Sequence, residues 1–440
     1  MQRLKDFLKR FPRHWITAFS AWASKIIVSL TQILCMRELL LYLGEDRYAV
    51  YIIAYSLAAW MPLSELSIGT SLQNFISHQR AKKQNYDTYI VSAFQIEILV
   101  FLLFSIVIVA VSPFVEDILF RKFTFIPDLK NIHIVFTVCF VSLIYAVSSS
   151  IYKVYYALHK GYVANILPAI SSIISLILIV VFRRYAIGGQ NIIYAVLMFL
   201  APQAIIAFMV CIFYLRRYVA KFFSVDLVSI KEILKRAFKF YGVGIFTTFY
   251  INADYLIISQ TLASKPNEII SYNVFTRVFF FFSFIYSSFL ASVWPVLNEL
   301  YHQGHIDEIK RMLKRYLAYG FILMSIGTVG IMMFAKTISS ILAPGANVIN
   351  GASFILLIGF YMIVKTWADT FAVFLQSINV LKIFWLFMPF QIIINVAAQF
   401  FLSKQYGVYG ILFGLIISVI TTSLWILPIK TKHVFAAHKT

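Results

Sequence analysis

Residues 88–111 read TYIVSAFQIEILVFLLFSIVIVAV, a run of 24 residues with one charged side chain, Glu97. A bilayer core about 30 Å thick takes roughly 20 apolar residues of helix. Lipid offers no partner to bare backbone groups, so such a run must close its hydrogen bonds on itself as an α-helix. A barrel strand would alternate apolar and polar side chains, and this run does not. Windows of the same kind recur along the chain at 15–36, 48–72, 132–156, 163–182, 191–215, 240–262, 269–294, 317–335, 352–377, 383–402 and 408–429. Together they predict an all-α polytopic membrane protein of about twelve transmembrane helices. The composition agrees: 61% of the 440 residues are hydrophobic and 13% charged, too apolar for a water-soluble domain.

The formal charge is +20. Its distribution argues against a nucleic-acid partner. With the N-terminus inside, 24 of the 38 Lys and Arg fall in inside segments and 9 in outside loops, the rest lying within helices. Cytoplasmic loops carry such an excess, so both termini are expected in the cytoplasm and the chain in the bacterial inner membrane. Met1 to Trp15 carries Arg3, Lys5, Lys9, Arg10 and Arg13 ahead of an apolar run. That run outlasts a signal-peptide core and shows no small-residue cleavage site, which predicts an uncleaved first helix. Cys35, Cys139 and Cys211 are far apart in sequence and read as packing residues.

The longest inside loop, about residues 216–239, is the most basic. It divides the chain into a six-helix lobe at 1–220, a basic linker at 221–239 and a second six-helix lobe at 240–440. Residues 226–239 read either as an amphipathic helix on lipid headgroups or as a solvated hinge. Six helices per lobe permit a parallel internal repeat. An offset of 221 residues pairs Tyr51 with Tyr272, Pro168 with Pro389, Tyr185 with Tyr406 and Gly189 with Gly410. Pro62, Pro168, Pro202, Pro389 and Pro428 fall inside predicted helices, and Glu65 to Ser71 is unusually small and polar for a span. Gly410, Gly414 and Ser418 share a face suited to close helix packing.

A charge at the centre of a span costs about 2.5–3.5 kcal/mol, so it usually faces a cavity, pairs or carries function. Arg37, Glu38 and Lys153 lie near span ends and are expected to reach the interface. Lys25, Arg277 and Lys365 lie deeper, on three different helices, and suggest a cavity for an anion. Arg offers phosphate a fork of donors and Lys a point charge. Lys365 and Asp369, four residues apart, share a helix face and can instead neutralise each other. Glu65, Glu97 and Asp254 are the other acids available as partners for these bases. Asp254, Glu97, Asp369 and Glu65 are candidates to carry a coupling H+ or Na+, since desolvation favours the neutral carboxyl. There is no Gly-rich nucleotide loop and no catalytic constellation. Glu299, His302 and His305 have a superficial metal spacing but read as a solvated loop, and no metal site or other cofactor is expected.

These features, in their order along the chain, resemble the Wzx-type polysaccharide flippases of the multidrug/oligosaccharidyl-lipid/polysaccharide exporter superfamily. The likeness covers nearly the whole chain. It rests on Arg37 followed by Leu43-Gly44 and Tyr48-Ala49-Val50-Tyr51, on Glu65-Leu66-Ser67-Ile68-Gly69, and on Tyr156 to Gly161. In the second half it rests on Asn252-Ala253-Asp254, Ile270-Ser271-Tyr272 and Trp294-Pro295. The resemblance implies a MATE-like fold whose lobes rock about a central cavity. It implies movement of an undecaprenyl-diphosphate-linked sugar unit to the periplasmic leaflet, for O-antigen or another surface polysaccharide. The polymerase and chain-length regulator of that pathway would be further partners. A drug exporter of the same fold and an integral-membrane polymerase or ligase are the competing expectations.

Overall fold

The computed structural model describes residues 13–124, 126 and 133–437. Arg3, Lys5, Lys9 and Arg10 of the basic leader lie outside the described residues, as do residues 127–131 of the longest outside segment. The chain divides into two compact units, Met1–Thr248 and Phe249–Thr440.

Unit 1 begins with α1 (Arg13–Ser56), interrupted at Gly44 by a non-helical φ of 74° and ψ of 169°. Glycine, lacking Cβ, takes this conformation without strain. The apolar element Ser20–Glu65 is 46 residues long, roughly 70 Å of helix at 1.5 Å per residue. It therefore holds two of the expected spans, and the break at Gly44 separates them. A 3₁₀ segment, Leu57–Glu65, contains Pro62 and gives way to α2 (Ile68–Ala81). Between them Leu66 and Ser67 take left-handed φ angles of 52° and 60°. The expected span at 48–72 is thus broken inside the unit, in the stretch that holds Pro62 and the small, polar segment Glu65 to Ser71. Pro62 removes a donor there, and the carboxyl of Glu65 takes the N–H of Gly69 at 2.8 Å.

Four long helices follow: α3 (Asp87–Phe120), α4 (Ile134–Ala157), α5 (Gly161–Arg184) and α6 (Ile192–Leu215). Asn165 of α5 ties itself to α1, accepting from Ser24 through its backbone carbonyl and donating to Ser20 Oγ at 3.0 Å. Glu38 of α1 pairs with Arg183 at 2.6 Å. Arg216–Phe223 forms a second 3₁₀ segment, and α7 (Leu227–Thr261) then runs 35 residues without a break. Its early turns dock on unit 1. Ser71 Oγ donates to the Ile233 carbonyl at 3.1 Å, and Tyr89 OH to Glu232 at 2.8 Å. Asp226 starts the helix by accepting from the N–H of Val228 at 3.0 Å and from Ser229 Oγ at 2.7 Å. Those donors hold its carboxyl below the usual aspartate value. The expected seventh span, 240–262, is the later part of α7.

Unit 2 holds the end of α7, then α8 (Pro266–His302), α9 (Ile306–Met333), the short α10 (Ala335–Leu342), α11 (Ala352–Ser377), α12 (Lys382–Tyr406), α13 (Val408–Thr421) and α14 (Ser423–Ala437). A polar seam runs along α12 through Gln391, Asn395, Gln399 and Ser403, all buried. Gln399 donates to Asn395 at 2.8 Å and Ser403 to Thr261 Oγ1 at 2.9 Å. Helix α13 approaches this seam closely at its glycines. A Cβ on Gly410 would enter the backbone at Leu402 and Ser403, and one on Gly414 the backbone of Gln399. Gly414→Leu should therefore cost about 3 kcal/mol and reduce the yield of monodisperse protein. Gly351→Leu is the control, because only Ser353 Oγ lies near, at 3.9 Å. Equal melting temperatures for the two variants would contradict this packing.

Among the described residues ten elements are long and apolar enough to cross a membrane. The difference from twelve arises at Ser20–Glu65, which holds two spans, and at α7, whose later part carries the polar Asn252, Asp254 and Gln260. The paired prolines of the sequence repeat land at matching places: Pro168 and Pro389 are each the eighth residue of their helices, α5 and α12. Gly189 and Gly410 do not match, for Gly189 has a left-handed φ of 54° whereas Gly410 is helical.

Candidate functional site

Among the described residues, each unit buries a cluster of ionisable groups. In unit 1 the break before α2 turns Glu65 back onto Gly69. Glu97, 1% exposed on α3, lies within electrostatic reach of Glu65. Ser150 and Lys153, one turn apart on α4, complete the group: the Ser150 hydroxyl faces both carboxyls, and Lys153 acts on Glu65. Gly69 leaves room for this arrangement. A Cβ there would strike Glu65 Oε1 and come within 3.1 Å of both Lys153 Cγ and Ser150 Oγ. Neither carboxyl oxygen of Glu97 has a hydrogen-bond partner among the described residues. The cluster is two carboxyls and one ammonium, so a single proton decides whether it is neutral. An uncompensated charge out of water costs several kcal/mol.

In unit 2, α7 and α8 form a hairpin. Asp254, 8% exposed, accepts the hydroxyl of Tyr272 on Oδ2 and the Tyr255 N–H on Oδ1 at 2.9 Å. Asn273 donates to Tyr255 OH at 2.9 Å, and the Tyr255 and Tyr272 rings meet edge-on with centroids 5.7 Å apart. Arg277, five residues beyond Tyr272, lies within electrostatic reach of Tyr255. Tyr361 of α11 reaches both Asp254 and Tyr250. One and two turns further along α11, Lys365 donates to Asp369 at 2.5 Å. The structure therefore joins Asp254 to Tyr272, sets Arg277 near the adjoining Tyr255, and joins Lys365 to Asp369. Lys25 lies on the exposed surface of α1.

Two of the side chains expected near span ends have neighbours that the sequence does not show: Lys153 sits beside Glu65, and Glu38 is held by Arg183. Ser150, Tyr272 and Tyr361 were not selected as site residues from sequence. Serine and tyrosine are commonplace in this chain, which has 26 Tyr. The only available signal was the three-residue spacing of Ser150 and Lys153 on a helix. The three cysteines are buried and unbridged, and among the described residues no three His, Cys, Asp or Glu gather to hold a metal.

Broken apolar helices around buried ionisable groups define a multi-pass membrane transporter, and the fold is MATE-like. The chain overlays an inward-facing multidrug resistance MATE family transporter of the MOP superfamily with a TM-score of 0.76, covering 96% of this chain and 99% of that one at 13% identity. No protein-family model matches the sequence. Three curated proteins do. One, from Yersinia pseudotuberculosis and named for O-antigen export, is 33% identical over 427 residues, 96% of this chain and 97% of its own. A second, from Salmonella typhi and named for O-antigen transport, is 33% identical over 434 residues, 98% of each chain. The chain belongs to this family of bacterial O-antigen transporters, the Wzx-type family that its motifs resemble.

Proposed function

We propose that the protein flips an O-antigen repeat unit, linked through a diphosphate to a polyprenyl lipid, from the cytoplasmic to the periplasmic leaflet. The observation that carries this reading is the end-to-end identity with relatives named for O-antigen export and transport. The excess of inside basic residues supports both termini being cytoplasmic. Lys25 and Arg277 supply positive charge for the diphosphate or for acidic sugars. Lys365, which already holds Asp369, contributes its charge only in part. A proton is the coupling ion, taken up by Glu97 with Glu65 in unit 1 and exchanged at Asp254 in unit 2.

The test is O-antigen display in cells whose own gene is deleted, together with flipping of the lipid-linked unit in proteoliposomes. Lys25→Ala and Arg277→Ala should each abolish display at unchanged protein level. Lys25→Arg should be partly tolerated and Lys25→Glu should not. Normal display by the double Ala variant would sink the cationic role. A fall in protein level alone would make both residues structural. Drug efflux by the wild type without lipid flipping would transfer the chain to the exporter reading.

A further inference from the structure

Besides the buried clusters, unit 1 holds a concave cationic pocket of about 310 Å³ at its basic end. It lies where α4 and α6 finish and α5 begins. Its wall includes Tyr155, Lys160, Phe213, Tyr214, Arg216 and Arg217. Lys160 is the residue on which α5 starts, and the two arginines open the 3₁₀ segment after α6. The guanidiniums are held in place by rings: Arg216 lies 3.9 Å from the Phe213 centroid and Arg217 3.6 Å from that of Tyr214. Tyr155 braces Tyr214 edge-on, with centroids 5.7 Å apart. No acidic side chain lines the pocket among the described residues. The nearby Asp87 is engaged elsewhere, by Lys221 at 2.7 Å and by Tyr218 at 3.2 Å.

Two ring-held guanidiniums and the Lys160 ammonium around one hollow, with no acidic side chain in its described wall, form an anion site. The rings pre-position the guanidiniums, which lowers the ordering cost of binding. The volume is at the lower end of the ~300–1,000 Å³ range of small-molecule sites. It suits a headgroup and is too small for a lipid tail. The site lies at the ends of the apolar helices α4 and α6, where basic residues meet lipid headgroups in membrane proteins. Two guanidinium forks and one ammonium match the charge of a diphosphate better than the single charge of a common anionic phospholipid.

We propose that Lys160, Arg216 and Arg217 form a docking site for a lipid-borne diphosphate, separate from the residues buried within the spans. The assignment rests on the flippase reading, where it would capture the lipid-linked unit before translocation. Its test does not need transport. The full-length protein is placed in nanodiscs of neutral phosphatidylcholine and titrated with a fluorescent polyprenyl diphosphate carrying no sugar. The wild type should bind saturably, and rising salt should weaken binding. Lys160→Gln, which removes no ring stack, should weaken it several-fold. Arg216→Gln with Arg217→Gln should weaken it at least tenfold, with the melting temperature of each variant reported beside its affinity. The monophosphate should bind less tightly than the diphosphate.

Equal affinity for wild type and Lys160→Gln would overturn the assignment. So would displacement of the diphosphate by an equal mole fraction of phosphatidylglycerol, which would make the pocket a general contact for anionic lipid. Failure of the wild type to flip the sugar-linked lipid, with diphosphate binding intact, would count against the flippase reading and leave the site standing.

Discussion

Glu97→Gln is expected to give folded protein at normal level that has lost its response to a pH gradient. The amide keeps the shape of the acid and mimics its protonated form. In proteoliposomes carrying an imposed pH difference, gradient-driven flipping should fall on the order of 100-fold, or about 2.7 kcal/mol. Passive exchange without a gradient should persist. The reason lies in the cluster: Glu97 is buried, Glu65 lies within electrostatic reach, and Lys153 is the only cation set against them in the group described. Lys153→Met should then leave two carboxyls without compensation and reduce the protein level. Adding Glu65→Gln should restore part of it, because the pair acts as a unit. If Glu97→Gln keeps the full gradient response, the cluster is not the coupling site. If the wild type ignores both pH and sodium gradients, downhill movement driven by consumption of the glycan outside is the better account.

The second large effect is expected at the α7–α8 hairpin. Asp254→Asn should reduce gradient-driven transport on the order of 100-fold, about 2.7 kcal/mol. Tyr272→Phe should reduce it about tenfold, in keeping with the 1.5–3 kcal/mol of a hydrogen bond to a charged group. The double variant should be no worse than Asp254→Asn alone, since the Tyr272 hydroxyl acts through that carboxyl. Additive losses would show that Tyr272 works independently. Recovery of Asp254→Asn by neutralising Arg277 would instead mark a structural balance of charge.

The helices and their approximate limits were legible because lipid leaves the backbone no other choice. Glu97 and Asp254 stood out for a related reason, as charges in runs that otherwise exclude them. Lys365 and Asp369 were legible as a pair from their spacing alone. Other features were not. The sequence marked Glu65 to Ser71 as odd but not as a break, because a break depends on Leu66 and Ser67 adopting left-handed angles that neither residue type announces. Residues 226–239 read as a helix or a hinge; that they form a helix continuous with the next span was not legible, since their contacts with Ser71 and Tyr89 come from distant parts of the sequence. That Lys153 neighbours Glu65 was not legible either, because depth along a helix can be counted from sequence, whereas the residue across from it cannot.

Helix α7 passes without interruption through the border between the two units at residues 248 and 249. That decides where the polypeptide tolerates being cut. A nick at the border would sever a continuous hydrogen-bonded rod and leave raw helix ends on both fragments. A nick at Ser224–Asp226 would fall outside regular helix and leave α7 whole on the second fragment. That fragment would keep Glu232 and Ile233, the residues that grip Tyr89 and Ser71. The two pieces, made separately, would then carry their own means of reassembly, with the first turns of α7 as the tether.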